Sequence, residues 1–198
     1  MRWDRFFEDL EDQLDSEWEA ERAALDTEAE RLRLSRIPIR ERLVALASAG
    51  HQVVVDLSGG GETVGTVTRV GVDWFALQAN ARRPDASLVP LHAVMALGAS
   101  ADAVLSSVRA AAPGTALAQR MTFGFVLRDV VRRRIYTTVQ LTGGRTLSGT
   151  IDRAGSDHLD LALHESGTPR RADNVTGFRM IPFAAVAVVR LDAAAGLP

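Results

Sequence analysis

The spacing of apolar residues changes along this chain, and each change predicts a different element. From Trp3 to about Leu34 there is no glycine or proline, and apolar residues recur at three, four and seven positions, the spacing of an amphipathic helix. We therefore predict an acidic amphipathic helix over residues 1–34. Such a stripe packs on the protein's own core or docks on another protein. The candidate partner-binding residues at its start are Trp3, Phe7, Leu10 and Leu14.

Two further helices are predicted at matching places. The first begins after Ser35 or at Pro38, since proline suits the first turn, and ends at Gly50. The second is the segment FGFVLRDVVRR, which Thr122 can cap.

Short alternating runs follow both helices and predict ten β-strands. The first five are expected at Val53–Leu57, Thr63–Val70, Trp74–Gln78, Ser87–Leu91 and Val94–Leu97. The second five are expected at Thr137–Leu141, Thr146–Ala154, His158–His164, Arg179–Phe183 and Val186–Leu191.

The two sets of strands are copies of each other. VDLSGGGETVGTVTRVGVDWFAL, which begins at Val55, aligns without a gap on VQLTGGRTLSGTIDRAGSDHLDL, which begins at Val139, 84 positions later. Duplication predicts two similar modules. We place them at residues 35–98 and 120–192, joined by a linker at 99–119 that is rich in Ala, Ser and Gly and has a short helix near Asp102–Ala111.

The second strand of each copy predicts a strongly bent sheet. Its apolar residues, Val67 and Val70 in the first copy, are three apart, which breaks the period of two and requires one β-bulge. We expect each five-stranded sheet to close into a small barrel. The predicted fold class is therefore mainly β with helices: two tandem five-stranded barrels, each preceded by a helix, plus the long N-terminal helix. We further expect the barrels to pair edge to edge, and the free edges to promote a homo-oligomer.

The helix, the five bent strands and the endings VPLHAV (from Val89) and IPFAAV (from Ile181) resemble the Sm-like family, which includes the Sm, LSm and Hfq proteins. The resemblance covers residues 36–97 and 120–191 and implies SH3-type barrels that bind RNA and form rings by pairing the fourth strand of one barrel with the fifth of the next. The uridine-binding residues of the family are absent. Gly71 and Gly155 stand where its loop aspartate is expected, and its Lys-His pair is Leu91-His92 in the first copy and Phe183-Ala184 in the second.

Composition narrows the function classes. The 198 residues contain no cysteine, which excludes disulfides, thiolate metal sites and cysteine nucleophiles. The longest apolar run, Ile181 to Val189, is too short to span a bilayer, so we expect a cytoplasmic protein with no membrane partner. The net charge of −2 hides an asymmetry: residues 1–32 carry 12 acids and 4 arginines, and the remainder is basic. A basic body can bind a polyanion, or an acidic helix can dock on it.

The search for catalytic chemistry finds little. His158, Asp160 and His164 alternate on one predicted strand, which is a possible metal arrangement, but the first copy has Trp74, Ala76 and Gln78 there. SGGGETVGT lacks the lysine of a phosphate-binding loop and reads as a hairpin turn. We therefore predict no enzyme, no metal and no cofactor.

Arginine placement is the better indication of function. Paired arginines recur between the third and fourth strands of both copies, more lie on the second leading helix, and one tryptophan near a loop could stack a base. The candidate nucleic-acid-binding residues are Arg82, Arg83, Arg128, Arg132, Arg133, Arg170, Arg171 and Trp74. The sequence thus favours a non-enzymatic binding or scaffolding protein with single-stranded RNA as a candidate partner. The alternative is a protein-interaction adaptor that uses the acidic helix while the barrels are structural.

Overall fold

The computed structural model describes residues 18–19, 22, 25–80, 83–108 and 120–192, with the backbone alone at residues 80 and 83–85. The chain divides into two compact units, 1–38 and 39–198. In the first unit residues 25–35 form α1, and residues 18, 19 and 22 are also helical. The helix predicted there is confirmed over these residues, whereas Trp3, Phe7, Leu10 and Leu14 lie outside them.

Three helices belong to the second unit: α2 (Ile39–Ala49), α3 (Ala101–Ser106) and α4 (Phe123–Arg133). Gly50 ends α2 with a φ of 67°, a backbone conformation that glycine adopts without strain. At the start of α4 the Thr122 hydroxyl accepts a hydrogen bond of 3.3 Å from the Phe125 N–H. Both helix boundaries agree with the sequence prediction, and α3 is the short helix predicted in the linker.

Ten strands complete the second unit, close to the predicted bounds. The first five are β1 (Gln52–Leu57), β2 (Glu62–Val70), β3 (Trp74–Asn80), β4 (Arg83–Pro90) and β5 (Val94–Gly98). The second five are β6 (Tyr136–Leu141), β7 (Thr146–Ala154), β8 (His158–Leu163), β9 (Gly177–Pro182) and β10 (Val186–Leu191). The predicted bulges are confirmed, because the register shifts between Val67 and Arg69 in β2 and between Ile151 and Arg153 in β7.

The strands form one antiparallel sheet in the order β5-β1-β2-β3-β4-β10-β6-β7-β8-β9. We call α2 with β1–β5 the first half and α4 with β6–β10 the second half. The predicted closure of each half into a barrel is not confirmed, since the sheet is open and β5 and β9 are its two ends. Closure of the first half would require the outer edge of β4, and that edge is hydrogen-bonded to β10 instead. The expected edge-to-edge pairing of the two halves is confirmed.

The hydrophobic core crosses the line between the halves. One cluster of buried residues is built on the second half but includes Trp74, Ala76, Ala86 and Leu88 of the first. The other is built on the first half but includes Val188 of β10. Neither half therefore encloses its own core, which is the physical reason for a single sheet.

Candidate assembly interface and arginine surface

The backbone of the internal junction is the antiparallel pair β4–β10. Leu88 lies opposite Val189, and Ala86 lies opposite Leu191. All four side chains are buried in the cluster that crosses between the halves. The fourth strand of one repeat thus pairs with the fifth strand of the other, and apolar side chains on both strands exclude water from the contact.

A second contact joins the turn between β2 and β3 to the start of α4. The Trp74 indole N–H and the Val72 backbone N–H both donate to the Met121 carbonyl, each at 3.0 Å. The Asp73 carboxylate accepts a hydrogen bond of 2.8 Å from the N–H of Phe123, the first residue of α4. The carboxylate accepts from an N–H that has no partner within the helix, and its negative charge is stabilised by the positive end of the helix dipole. The first half therefore caps the helix of the second.

Trp74, for which the sequence predicts a base-stacking role, is buried at this contact. The side chain is 1% exposed, and its only polar atom is bonded to Met121. A ring enclosed on both faces offers no surface to a nucleic-acid base. Sequence reasoning treated Trp74 as a residue near a loop, and did not show that the second half would cover it.

The ring of Trp74 lies directly over Gly71, so that a Cβ on this glycine would overlap the indole. The repeat has the same arrangement at Gly155, where a Cβ would lie 2.8 Å from Cε1 of His158. The glycines match between the copies because each has a ring above it. Trp74 and His158 therefore occupy equivalent positions in the two halves.

The repeat also identifies what the free edge β9 lacks. The endings VPLHAV and IPFAAV are offset by 92 positions, so Ala86 and Leu88 of β4 correspond to Phe178 and Met180 of β9. Ala86 and Leu88 are buried by β10, whereas Phe178 is 58% exposed and Met180 is 81% exposed. Large apolar side chains exposed together on a strand edge mark a surface that binds another chain.

The opposite edge shows the complementary pattern. By the same offset, buried Ala187 of β10 corresponds to Met95 of β5, which is 71% exposed. At the offset of 84 positions, which applies to the helices, Phe123 of α4, which is buried, corresponds to Ile39 of α2, which is 48% exposed. A cavity of about 220 Å³ opens beside Ile39. It is lined by Ile39, Arg42, Leu46, Leu97, Ala99, Val104 and Ser107.

Five of these lining residues, namely Ile39, Arg42, Leu46, Leu97 and Ala99, correspond in the repeat to second-half residues that are buried at the internal junction. Ile39, Leu46 and Leu97 correspond to Phe123, Val130 and Val189, all of which belong to the cluster around Trp74 and Leu88. The cavity therefore lies where the internal junction is filled by side chains of β4. Val104 and Ser107, which also line the cavity, belong to α3 and its C-terminal end.

The arginine surface lies between α4 and β7. A groove of about 790 Å³ has an apolar floor that includes Phe125, Val131 and Ala154. Its charged lining residues are Arg128, Arg132, Asp152, Arg153, His158 and Asp160. Arg128 donates to the Gly155 carbonyl at 3.3 Å, and Arg153 is exposed. The groove combines a positive rim with apolar surface.

The other predicted arginines are less available. Arg132 and Arg133 both pair with Asp129, at 2.8 and 2.7 Å. Arg170 forms a two-pronged pair with Asp152, with a Nε to Oδ1 distance of 2.9 Å, and the hydrogen bond raises the pKa of its guanidinium. Arg171 is exposed near this pair. Two carboxylates thus pair with three of the candidate cations and offset two of the three positive charges.

Two of the predicted arginines are not placed as side chains. Arg82 lies outside the described residues, and Arg83 begins β4 with only its backbone described. The nucleic-acid-binding role inferred from the paired arginines of both copies therefore stays a prediction from sequence.

The histidines of β8 are separated in their contacts. His158 is exposed, and its Nδ1 is 2.8 Å from Oδ1 of Asp157. His164 follows the end of β8, is buried, and has Nε2 2.8 Å from the Thr150 hydroxyl. Among the described residues, no three His, Asp or Glu side chains are grouped so as to hold a metal ion. The alternation in sequence therefore does not bring His158, Asp160 and His164 into one site.

Comparison with known proteins does not assign the chain. No family model and no curated protein matches it. None of the helices in the described part of the chain has the length and apolar character needed to cross a membrane.

Sequence reasoning missed the exposed apolar residues Met95, Phe178 and Met180 on the edge strands β5 and β9, and Ile39 at the start of α2. A signal was present in β9, where Phe178 and Met180 alternate with Arg179 although Ile181 faces the core. Successive side chains of a strand point to opposite faces, so Phe178 and Met180 lie on the face opposite to Ile181. Large apolar residues on both faces of a strand indicate that both faces are covered. At the offset of 92 positions, Phe178 and Met180 correspond to Ala86 and Leu88, which β10 buries, so this face of β9 matches one that a neighbouring strand covers.

Proposed function

We propose that this protein is a non-enzymatic scaffold that assembles by adding further copies of itself head to tail. The edge β9 of one copy pairs with the edge β5 of the next, in the manner of β4 and β10. One observation carries the proposal: Phe178 and Met180 are exposed although their counterparts Ala86 and Leu88 are buried by strand pairing. Such a contact joins two different surfaces, so it generates a ring if the rotation closes.

The register of the internal junction predicts the contacts between copies. Met180 lies opposite Leu97, and Phe178 lies opposite Ala99, with their side chains directed to the cavity beside Ile39. Burial of these two apolar side chains supplies roughly 1.5–3 kcal/mol each, relative to their exposed state. The strand order within each half and the pairing of fourth with fifth strands also support the Sm-like resemblance.

The test is the molecular mass in solution over a concentration series, by analytical ultracentrifugation. We expect the full chain to form a discrete species larger than a monomer at micromolar concentration. Met180→Arg should dissociate it, because an arginine in the pair with Leu97 buries a charge without a partner. Met95→Arg on the opposite edge should dissociate the assembly as well, because it alters the other surface of the same contact.

The two edge variants provide a sharper check when they are mixed. If β9 binds β5, the intact β5 edge of Met180→Arg pairs with the intact β9 edge of Met95→Arg, so we expect a dimer in the mixture and a monomer for each variant alone. A wild-type chain that is monomeric at all concentrations tested would contradict the proposal. It would favour the adaptor hypothesis, which the exposed apolar stripe Trp18, Leu25 and Leu32 of the N-terminal helix supports.

Single-stranded RNA binding is a second candidate function, and the groove between α4 and β7 favours it. Arg128 and Arg153 line that groove without a carboxylate within ion-pair distance among the described residues, and Phe125 exposes an aromatic ring beside them. We expect affinity for an unstructured RNA to fall steeply with salt, and Arg128→Ala with Arg153→Ala to weaken it. Arg31→Ala, which removes an exposed cation of α1, is the control. Absence of binding at low salt would exclude this function.

A further inference from the structure

The hairpin between β7 and β8 repeats the hairpin that caps α4 inside the chain. Gly71, Val72, Asp73 and Trp74 correspond to Gly155, Ser156, Asp157 and His158. In the first hairpin all three polar functions are used: the Val72 N–H and the Trp74 indole bind the Met121 carbonyl, and Asp73 binds the Phe123 N–H. The second hairpin has the same backbone closure, with Gly155 N–H bonded to the His158 carbonyl at 2.8 Å.

In the described part of the chain, no helix N-terminus donates to Asp157 of the second hairpin as α4 donates to Asp73 of the first. The Asp157 side chain is 84% exposed, and its Oδ1 accepts hydrogen bonds from Ser156 and His158. Beside it lies the open groove of about 790 Å³, which includes Gly155 and His158 in its lining. In the first half the counterparts of Gly155, His158 and Asp160, namely Gly71, Trp74 and Ala76, are buried at the internal junction, so this end of the groove is an uncovered copy of that junction.

The residues that would fill this surface are found at the other end of the chain. At the offset of 84 positions, Met121 and Phe123 correspond to Ile37 and Ile39. Ile39 is the first residue of α2, and its side chain is 48% exposed. The residue before α2 is Pro38, whose side chain has no hydrogen-bonding group, whereas α4 is capped by Thr122 and Asp73.

We infer that the β7–β8 hairpin, residues 155–158, is the anchoring site for the segment that enters α2 of a second copy. Asp157 accepts a hydrogen bond from the Ile39 N–H of that copy, and the Ser156 N–H donates to its Ile37 carbonyl. His158 takes the place of Trp74 beside the same carbonyl. This inference rests on the proposed assembly and names a contact separate from the strand pairing of β9 with β5.

The replacement of tryptophan by histidine makes the contact depend on pH. Because a carboxylate only accepts, the Nδ1 of His158 carries the proton that is shared with Asp157. In the neutral ring Nε2 is then an acceptor and cannot donate to a carbonyl as the Trp74 indole does. In the protonated ring Nε2 is a donor, so protonation completes the hydrogen-bond set of the internal junction.

The charged groups around His158 favour this protonated form. The hydrogen bond that His158 donates to Asp157 raises the pKa of the ring, and the charges of Asp157 and Asp160 raise it further. Asp157 is on the hairpin, Asp160 on β8, Arg153 and Asp152 on β7, and Arg128 and Arg132 on α4. Since the folded pKa is raised, the added affinity is present at acidic pH and is lost as the pH rises through that value.

The experiment measures the dissociation constant between full-length copies from pH 5.5 to 8.5. We expect association of the wild type to weaken by about 2- to 10-fold across this range, the loss of one hydrogen bond. His158→Trp copies Trp74, so it should associate tightly and without this pH dependence. Asp157→Ala should weaken association at every pH, whereas Asp173→Ala, which removes an exposed carboxylate elsewhere, should not.

The outcomes separate this inference from the proposed assembly. If Met180→Arg dissociates the copies while His158→Trp and Asp157→Ala behave as wild type, the assembly stands and the anchoring site is wrong. If His158→Trp retains the wild-type pH dependence, another group titrates and the inference is overturned. Circular dichroism of each variant verifies that the fold is retained.

Discussion

At Gly71 and Gly155 a ring occupies the space that a Cβ would take. A Cβ at Gly71 would overlap Nε1 of Trp74 and lie 2.5 Å from the Met121 carbonyl oxygen. Both neighbours are fixed, since the indole is buried and the carbonyl accepts two hydrogen bonds. At Gly155 the neighbour is the ring of His158, which is exposed and can move.

We therefore expect Gly71→Ala to lower the free energy of unfolding by about 1–3 kcal/mol, the usual cost of overpacking. Gly155→Ala should cost less, because His158 can rotate away. Gly143→Ala is the control, as nothing lies within 4 Å of its Cβ position. Urea denaturation of the three variants gives the order, and equal losses at Gly71 and Gly143 would show that the ring does not constrain the glycine.

Helix α4 is held at its start from two sides. Thr122 caps it from its own chain segment, and Asp73 caps it from the first half. Removal of Asp73 leaves the Phe123 N–H without an acceptor beside a buried side chain, which costs more than a solvated cap.

Asp73→Ala should therefore lower the free energy of unfolding by about 1–2 kcal/mol, and Thr122→Ala by about 1 kcal/mol. Asp173→Ala should have no measurable effect, because this carboxylate is exposed. Thermal denaturation compares the three. A loss for Asp73→Ala no larger than that for Asp173→Ala would mean that the contact between the halves does not stabilise α4.

Elements could be predicted from the sequence because their signals are local. Helix α4 begins and ends where Thr122 and the arginine run indicate, and the bulge before Arg69 follows from the spacing of Val67 and Val70. The start of β4 was missed by four residues, since Arg83, Pro84 and Asp85 have low strand propensity and the strand is extended to Arg83 by its pairing with Asn80 of β3. Pairing partners are not local, and they override propensity at strand ends.

The candidate site was less predictable for the same reason. Trp74 near a turn gives no sign that residues about 50 positions later will cover it. Arg132 and Arg133 form a positive cluster in the sequence. Asp129, one turn earlier on the same face of α4, pairs with both. Only the duplication supplied long-range information, because it allowed buried and exposed counterparts to be compared.

On the scale of the whole molecule, residues 39–192 share core residues across the two halves. Trp74 and Leu88 of the first half belong to the cluster of the second, and Val188 of the second belongs to that of the first. Loss of structure in one half would expose apolar surface in the other. The halves are therefore expected to unfold together although the sequence was built by duplication.

We expect a single unfolding transition for this region, with tryptophan fluorescence of Trp74 and far-ultraviolet circular dichroism changing together. Substitution of Trp3 and Trp18 by Phe leaves Trp74 as the only fluorophore of its kind, because the chain has three tryptophans. Leu88→Ala opens a cavity at the junction, so it should lower the free energy of unfolding by roughly 2–5 kcal/mol, the cost typical of a truncated core leucine. Both probes should report the same decrease. Val53→Ala, deep in the first half, should also shift both probes together. Two separate transitions would show instead that each half folds alone, and that the β4–β10 pair is a docking contact between independent domains.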